Sequence, residues 1–309
     1  MRYVVTGGCG FIGSHLSKQL IDNGHNVVIV DDLSTGRKEN APSDATLIIG
    51  DVSKPAIVQD AIKEADGIFH LAAVASVERC TNEWSDAHRT NVTATVTIFD
   101  AAAKHSPSLP VIYASSAAVY GDNTNLPLSE TASTQPLTSY GLDKLSCEHY
   151  ARIGNVYHDL QAIGLRFFNV YGPGQNPTSP YSGVITKFMQ AAHNGQAMTI
   201  FGDGEQTRDF IFIDDIVALL IAAMNHPQKN AQTINGCTGQ AISINQLAES
   251  IAQLHPTEIK HTDAVTGDIR HSLGDASRAE RLLGFRAQTA FADGLEKTMA
   301  HFSRIRGAA

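Results

Sequence analysis

The feature that constrains this chain most is a glycine cluster that begins at its seventh residue. Gly7, Gly10 and Gly13 follow a β-branched run, Arg2–Thr6, and open a segment of helical periodicity, Phe11–Asn23. Glycines also serve ordinary turns, but a strand, a glycine turn and a helix in this order bring free backbone N–H groups close to a pyrophosphate. The turn therefore predicts a dinucleotide site. The residues assigned to it are Gly7, Gly10, Phe11, Ile12 and Gly13.

The first half of the chain alternates short apolar runs with helical segments. Such alternation predicts parallel strands with helices on both faces, a doubly wound Rossmann-type α/β fold. The predicted strands are Arg2–Thr6, Asn26–Val30, Thr46–Ile49, Gly67–His70 and Pro110–Ala114. The predicted helices are Phe11–Asn23, Pro55–Glu64, Glu83–Lys104 and Ser139–Tyr157.

After about Asn169 the pattern changes to a turn-rich loop followed by mixed short strands and helices. We therefore expect a dinucleotide-binding domain over residues 1–170 and a smaller, interleaved C-terminal α/β lobe for the substrate over residues 171–309. Segments around residues 205–235 are expected to return to the first domain.

Composition narrows the class of partner. The formal net charge of −8 gives no electrostatic reason to bind nucleic acid or an anionic membrane. The longest apolar run, Ile216–Met224, is less than half of the ~20 residues that a membrane span needs. No targeting segment is expected before the glycine cluster, and the four cysteines and thirteen histidines lack metal-site spacing. We expect a cytoplasmic protein with reduced thiols and no metal.

Two acidic positions follow predicted strands where a dinucleotide would lie. Asp31 ends the second strand, where a carboxylate accepts hydrogen bonds from the adenosine ribose and repels a 2′-phosphate, so NAD is favoured over NADP. Arg37 and Lys38 leave NADP open, and a loop-capping role for Asp31 is the alternative. Asp51-Val52, after the third strand, has the same two interpretations: contact with the cofactor, here its adenine, or capping of a loop.

Tyr140 and Lys144 are four residues apart on a predicted helix and therefore share a face. An ammonium beside a phenol, together with an oxidised nicotinamide, stabilises the phenolate. A solvated helix face is the competing interpretation of this pair. Ser116 follows the fifth strand, where open α/β sheets bind ligands, and its hydroxyl is positioned to share a ligand oxygen with Tyr140.

These motifs, in this order and spacing, resemble the extended short-chain dehydrogenase/reductase family. Three later segments are similar to its sugar-nucleotide branch, the UDP-glucose and UDP-N-acetylglucosamine 4-epimerases, and the resemblance covers nearly the whole chain. These segments are Arg166–Pro173, Gly202–Phe210 and Gly267–Ser272.

The resemblance implies a 4-epimerase that oxidises the C4 hydroxyl of a UDP-sugar with bound NAD and reduces the transient 4-keto sugar on its other face. Tyr140 is then the acid/base on the C4 oxygen, Ser116 assists it, and Lys144 holds the nicotinamide ribose. The rest of the implied cofactor site is Asp31, Asp32, Asp51, Val52, Leu71, Ala72, Ala73, Asn91 and Phe167, and the rest of the implied substrate site is Asn169, Val184, Thr199, Phe201, Arg208, Asp268, Arg270 and Ser272.

Two arginines, Arg208 and Arg270, would neutralise the substrate diphosphate although the chain as a whole carries a net negative charge. The alternative for Arg208 is a pair with Asp209 or Asp214, and for Arg270 it is a surface salt bridge.

Departures from the family pattern bear on the reaction. Dehydratases carry an Asp-Glu pair after the catalytic serine or threonine, and decarboxylases usually carry a glutamate, but this chain has Ala117-Ala118. Their absence favours simple epimerisation, although many epimerases have threonine at the position of Ala118. Ser272 stands where the resembling epimerases have a bulky residue if they exclude N-acetyl sugars. Its small size predicts use of both sugar classes, unless it is only a packing residue.

The resemblance also implies a homodimer built on the helices Glu83–Lys104 and Ser139–Tyr157, which from pattern alone fit ordinary sheet-covering helices equally well. Three other functions stay open: a 4-ketosugar reductase, another nucleotide-sugar epimerase, or a decarboxylase. A binding protein that senses the cofactor without catalysis is a further alternative, but such relatives typically lack the tyrosine or the lysine.

Overall fold

The computed structural model describes residues 1–106, 108–176, 183–226, 229–265, 267 and 269–307, with side chains as far as residue 303. A seven-stranded parallel sheet forms its centre. Its strands are β1 (Arg2–Thr6), β2 (Asn26–Asp31), β3 (Thr46–Ile49), β4 (Gly67–His70), β5 (Val111–Ser116), β6 (Ala162–Phe167) and β11 (Gln232–Gly236). They lie in the order β11-β6-β5-β4-β1-β2-β3. The predicted Rossmann-type fold class is confirmed.

Helices cover both faces of this sheet because its central strands β1, β2 and β4 are largely apolar and buried on both sides. One face is covered by α1 (Phe11–Asp22) and α8 (Ile213–Asn225), which pack on each other. The other face is covered by α2 (Pro55–Ala61), α5 (Ala94–His105) and α6 (Ser139–His158), and α5 packs on both of its neighbours.

The helix predicted over Glu83–Lys104 is wrong in its details. Two short helices, α3 (Val77–Asn82) and α4 (Trp84–His88), lead into a π-helical segment, Arg89–Thr93, and only then into α5. The π-helical turn brings the side chain of Asn91 into the interior, where it is fully buried. Helical periodicity alone does not reveal such an extra residue in a turn.

The second lobe consists of three two-stranded sheets and the helices that cover them. The pairs are β7 (Asn169–Tyr171) with β10 (Phe210–Phe212), β8 (Met198–Phe201) with β13 (Ile259–Thr262), and β9 (Thr207–Arg208) with β12 (Ile242–Ser243). The helices are α7 (Val184–His193), α9 (Ile244–Leu254), α10 (Ser277–Leu283) and α11 (Phe291–Gly307). One apolar cluster runs from β1 and α1 through α8 into α7 and α9, so the two parts share a core.

A buried histidine joins the first strand to the helices behind the sheet. The hydroxyl oxygen of Thr6 accepts backbone N–H groups from Leu71 and the next residue, so its own hydrogen points to His70 Nδ1, 2.7 Å away. His70 Nε2 is then protonated and donates to Thr95, 2.9 Å away, which in turn donates to the carbonyl of Asn91. Burial, followed by the charge of Lys144, lowers the pKa of His70 to about 3.

We expect His70 to reduce the stability of the fold in mild acid. The unfolded chain binds a proton here at about pH 6.5, whereas the folded chain does not until about pH 3. Within that window the unfolded state carries more protons, so the free energy of unfolding falls as the pH falls, by at most about 1.4 kcal/mol per pH unit. His70→Gln lacks this site in both states.

Urea unfolding of both proteins between about pH 7.5 and pH 4.5 measures the effect. The other histidines contribute equally to the two proteins, so the stability advantage of the wild type should shrink steadily below about pH 6.5. A constant difference across the range would show that His70 takes up its proton equally well in both states.

Candidate functional site

The glycine turn after β1 has the shape of a phosphate cradle. Gly7 has a φ of +69°, and a Cβ on it would stand 2.8 Å from the backbone nitrogen of Ala72. A Cβ on Gly13 would collide with the carbonyl oxygen of Gly7. Only glycine fits at these two positions, and α1 starts at Phe11 with its first N–H groups at the turn. The turn therefore fits the diphosphate of a dinucleotide.

A cleft opens beside this turn along the carboxyl ends of the strands. Nine of the residues predicted for the cofactor line it: Gly7, Gly10, Asp31, Asp32, Asp51, Val52, Leu71, Ala72 and Ala73. Eight further lining residues were not predicted: Val30, Ser34, Thr35, Gly36, Gly50, Val74, Arg79 and Thr90. Four of these directly adjoin predicted residues in sequence: Val30, Gly50, Val74 and Thr90. The run Ser34-Thr35-Gly36 continues the polar loop after Asp32, and this was a usable signal.

Asp31 ties the loop after β2 to the glycine turn. Its two carboxylate oxygens accept the backbone N–H groups of Cys9 and Leu33, each at 2.9 Å, and the residue is 7% exposed. Asp31 therefore does cap the loop. Each of its oxygens accepts one hydrogen bond and keeps a second lone pair for a ribose hydroxyl, so loop capping and contact with the cofactor are compatible.

The serine, tyrosine and lysine come together at the end of β5. Ser116 is the last residue of that strand, and Tyr140 is the second residue of α6, whose first turn is capped by Thr138. Lys144 is 4% exposed, its Nζ donates to the carbonyl of Ala114 at 2.9 Å, and it lies 5.9 Å from the centre of the Tyr140 ring. A solvated helix face is thus excluded for this pair.

A buried ion pair holds α6 against the strands that carry this site. Glu148, one turn beyond Lys144, accepts hydrogen bonds from Arg166 at 2.9 Å and 2.7 Å and from the hydroxyl of Ser115 at 2.5 Å. Both charged side chains are 5% exposed. Because Ser115 immediately precedes Ser116, the same carboxylate fixes the helix with the lysine and the strand with the serine.

Asn91 and Phe167 do not line the cleft. The side chain of Asn91 accepts from the backbone nitrogen of Val74 at 2.8 Å and donates to its carbonyl at 3.3 Å, and it also donates to Asp143 at 3.3 Å. Asn91 therefore acts on the loop that lines the cleft. Phe167 ends β6 directly beside Ser116 in the sheet register, and it is 8% exposed.

The predicted substrate residues are assembled by two segments about sixty residues apart in the chain. The backbone nitrogen of Thr207 donates to the carbonyl of Arg270 at 3.0 Å, and that of Ser272 donates to the carbonyl of Thr207 at 3.1 Å. These bonds bring Arg208, Arg270 and Ser272 to one side of the second lobe. Arg270 forms a bidentate pair with Asp203, at 2.7 Å and 2.8 Å, so its predicted alternative, a surface salt bridge, is present.

A buried carboxylate anchors that assembly. Asp209 is fully buried and accepts hydrogen bonds from both the N–H and the hydroxyl of Thr238, and from the backbone of Gly239 and Gly274. Burial raises the pKa of Asp209, and these hydrogen bonds oppose the rise. Among the other predicted substrate residues, Asn169 at the start of β7 donates its backbone N–H to the carbonyl of Asp209 at 3.0 Å, so it lies next to Arg208. Thr199 and Phe201 occupy exposed positions of β8, and Val184 starts α7. Asp268 lies outside the described residues.

Within the part of the chain that the structure describes, no helix is long and apolar enough to cross a membrane. The same residues contain no cluster of histidine, cysteine, aspartate and glutamate side chains that could hold a metal ion. All four cysteines are buried free thiols.

The parallel sheet, the glycine cleft and the Ser-Tyr-Lys group together define a dinucleotide-binding enzyme of the short-chain dehydrogenase type. The model of the NAD dependent epimerase/dehydratase family matches residues 3–237. The chain belongs to this family, and its cofactor is NAD. The residues present fit that cofactor, because the glycine turn admits a diphosphate at the head of α1.

Relatives with known names narrow the class further. The chain is 36% identical over 310 residues to a UDP-glucose 4-epimerase of Mycolicibacterium smegmatis, with 98% of each chain covered. It is 31% identical to a UDP-N-acetyl-alpha-D-glucosaminuronate decarboxylase of Bacillus cytotoxicus, over 98% of each chain. The solved UDP-N-acetylglucosamine 4-epimerase of Methanobrevibacter ruminantium, in complex with UDP-N-acetylmuramic acid, matches with a TM-score of 0.93 and 37% identity over 98% of each chain. The protein therefore belongs among the enzymes that act on UDP-sugars. These relatives catalyse different reactions, epimerisation and decarboxylation among them.

Proposed function

We propose that the protein is a 4-epimerase of UDP-hexoses that acts on UDP-glucose and UDP-galactose and also on their N-acetyl forms. The observation that carries this proposal is the partly exposed Tyr140 with the buried Lys144 beside Ser116. Two alanines follow this serine where related lyases carry an acid. Such a site moves a proton on and off a hydroxyl but holds no second acid for elimination.

Each residue of the trio has a distinct task in this proposal. The hydroxyl of Tyr140 exchanges a proton with the C4 oxygen of the sugar, and the buried ammonium of Lys144 stabilises the phenolate. The Oγ of Ser116 accepts the N–H of Ala118 at 3.2 Å, so its hydrogen is available to donate to the same sugar oxygen. Bound NAD supplies the capacity to accept a hydride from C4 and to return it.

Decarboxylation is the main competing reaction, because a decarboxylase is among the relatives. The 3₁₀ segment Ala117–Tyr120 starts immediately after Ser116 and packs against α6 so closely that a Cβ on Gly141 would stand 2.7 Å from the carbonyl of Ala118. Two methyl groups therefore occupy the turn where decarboxylases usually place a glutamate. This observation supports epimerisation over the loss of a carboxyl group.

The substrate proposal rests on the strip that pairs Thr207 with the segment from Arg270 to Ser272. Arg208 and Arg270 provide two guanidinium groups for a diphosphate, and an exposed ion pair with Asp203 is weak enough for a diphosphate to displace. Ser272 lies beside them with a small side chain, and a relative with 37% identity is a UDP-N-acetylglucosamine 4-epimerase. Both facts support a pocket that accepts a 2-acetamido group.

We also propose that the protein is a homodimer that pairs through α6. Five large apolar or aromatic side chains on this helix are exposed: Leu142, Tyr150, Ile153, Val156 and Tyr157. They follow each other at helical spacing and form one stripe, which we call the α6 stripe. A monomer rarely leaves such a stripe in water, whereas a second copy of the same helix would cover it by two-fold symmetry.

A panel of UDP-sugars tests the reaction directly. Incubation of the purified holoenzyme with UDP-glucose, UDP-N-acetylglucosamine and UDP-glucuronic acid, followed by NMR, should give C4 epimers of the first two without net formation or use of NADH. Release of carbon dioxide would identify a decarboxylase, and stoichiometric use of NADH with a 4-keto sugar would identify a reductase.

Tyr140→Phe should lower turnover by roughly 10²–10⁴-fold while NAD stays bound, because only the proton-transferring hydroxyl is lost. Tyr157→Phe, on an exposed position of the same helix, is the matched control and should keep its activity. Turnover numbers together with the NAD content of each purified protein give the comparison. Near-normal activity of Tyr140→Phe is incompatible with the proposed acid/base role.

Ser272→Tyr should suppress turnover of N-acetyl sugars selectively, by about tenfold or more, because the phenol would fill the space of the acetamido group. Ser272→Ala keeps that space and should retain both activities. The measured quantity is the ratio of kcat/KM for UDP-N-acetylglucosamine to that for UDP-glucose. An equal loss for both sugars in Ser272→Tyr would refute the size-selection idea.

Val156→Glu should convert the dimer into a monomer, because it places a charge within the α6 stripe at one of its most exposed side chains. Val265→Glu introduces the same charge at an exposed valine of the second lobe and should leave the dimer intact. Sedimentation equilibrium of the wild type and both variants gives the mass. A monomeric wild type, or a dimeric Val156→Glu, would exclude the α6 stripe as the interface.

A further inference from the structure

The negative charge of the cofactor cleft opposes the binding of an anionic cofactor, and the uncharged glycine turn does not remove this repulsion. The diphosphate of NAD brings two negative charges into a cleft that is itself lined by Asp31, Asp32 and Asp51. Among the described residues that line this cleft, Arg79 is the one lysine or arginine. The net charge of −8 of the whole chain adds to the repulsion instead of relieving it.

Two of the three carboxylates, Asp31 and Asp32, are held by backbone hydrogen bonds, which do not cancel their charge. Asp31 accepts two backbone N–H groups, and Asp32 accepts that of Ser34 at 2.9 Å. Asp51 accepts the N–H of Ser53 and is also paired with Arg89 at 2.8 Å. An anionic ligand therefore still meets a negative cleft unless another cation faces it.

Arg79 lies where such a cation is needed. It belongs to the first turn of α3, and its backbone N–H is fixed by the hydroxyl of Ser76 at 3.0 Å. Its Nε donates to Glu83 at 2.8 Å, a bond in which the two terminal nitrogens take no part, and the side chain is 31% exposed. The guanidinium is thus oriented from one side by Glu83 while its terminal nitrogens remain able to approach an anion.

We propose that Arg79 binds the diphosphate of NAD and that Glu83 orients Arg79 and partly offsets its charge. A charge-assisted hydrogen bond from arginine to a phosphate is among the stronger polar contacts, and the diphosphate is the only anionic group of the cofactor. The sequence motifs did not predict Arg79 as a cofactor residue, because it lies on a short helix after β4, far along the chain from the glycine turn.

Variants of the two partners separate this role from a structural one. Arg79→Met removes the cation but keeps most of the aliphatic stem. Glu83→Gln removes the charge of the partner but leaves the cation in place and keeps a side-chain oxygen that can accept the Nε hydrogen bond. Arg79→Met should lose bound NAD about tenfold faster than the wild type, whereas Glu83→Gln should lose it no faster. Arg79→Lys should lose NAD at an intermediate rate, because lysine keeps the positive charge but lacks the planar guanidinium that donates two hydrogen bonds to a phosphate.

Dialysis of each holoenzyme in low and high salt, with an enzymatic assay of the NAD retained, gives these rates without relying on epimerase activity. Arg281→Met, an exposed arginine on α10, controls for the change in net charge and should behave like the wild type. High salt should accelerate NAD loss more in the wild type than in Arg79→Met.

If Arg79→Met and Glu83→Gln lose NAD at the same increased rate, the ion pair is merely structural and the proposal fails. Equal retention by Arg79→Met and the wild type would also overturn it. Either result concerns cofactor binding alone and leaves the proposed sugar chemistry to be judged by the NMR panel.

Discussion

The site depends on one buried ion pair, that of Glu148 with Arg166. Glu148 lies on α6 and Arg166 on β6, and the carboxylate also accepts the hydroxyl of Ser115 on β5. Three elements, β5, α6 and β6, are therefore held at one point. The hydrogen bond from Lys144 to the carbonyl of Ala114 is a second tie between α6 and β5, one turn away. Together these contacts set the distance between the serine strand and the tyrosine helix.

A buried ion pair of this kind is a weak source of stability but a strong source of positional precision. Desolvation of both charges offsets much of their attraction, whereas removal of one partner leaves an unpaired charge in the interior at a cost of about 3–5 kcal/mol. The arrangement thus tolerates few alternatives. The ring of Tyr120 beneath the guanidinium, 4.8 Å from its centre, and the carbonyl of Glu130 complete the surroundings of Arg166.

Local sequence patterns predicted those parts of the molecule whose cause is local. The strands Arg2–Thr6, Thr46–Ile49 and Gly67–His70 have the predicted bounds because each is a short run rich in apolar residues. The first and third lie in the buried middle of the sheet, and Thr46–Ile49 forms its partly exposed edge. The glycine turn and the Tyr140–Lys144 spacing were visible for the same reason. Strands β6 and β11 were not predicted, because the first contains Gly164 and Arg166 and the second is mostly polar.

The polar strand β11 is stabilised by partners that the local sequence does not reveal. Asn235 on β11 is fully buried because it accepts the hydroxyl of Tyr120 and donates to the carbonyls of Leu128 and Asp275. The candidate substrate site also depends on long-range partners, since the backbone hydrogen bonds of Thr207 with Arg270 and Ser272 join residues about sixty positions apart. A single sequence shows which chemical groups are available, but the long-range hydrogen bonds decide which of them meet. In this fold the chain passes three times between the central sheet and the second lobe: it leaves after β6, returns for α8 and β11, and leaves again for β12. The candidate substrate site is therefore assembled by segments that are distant in the chain.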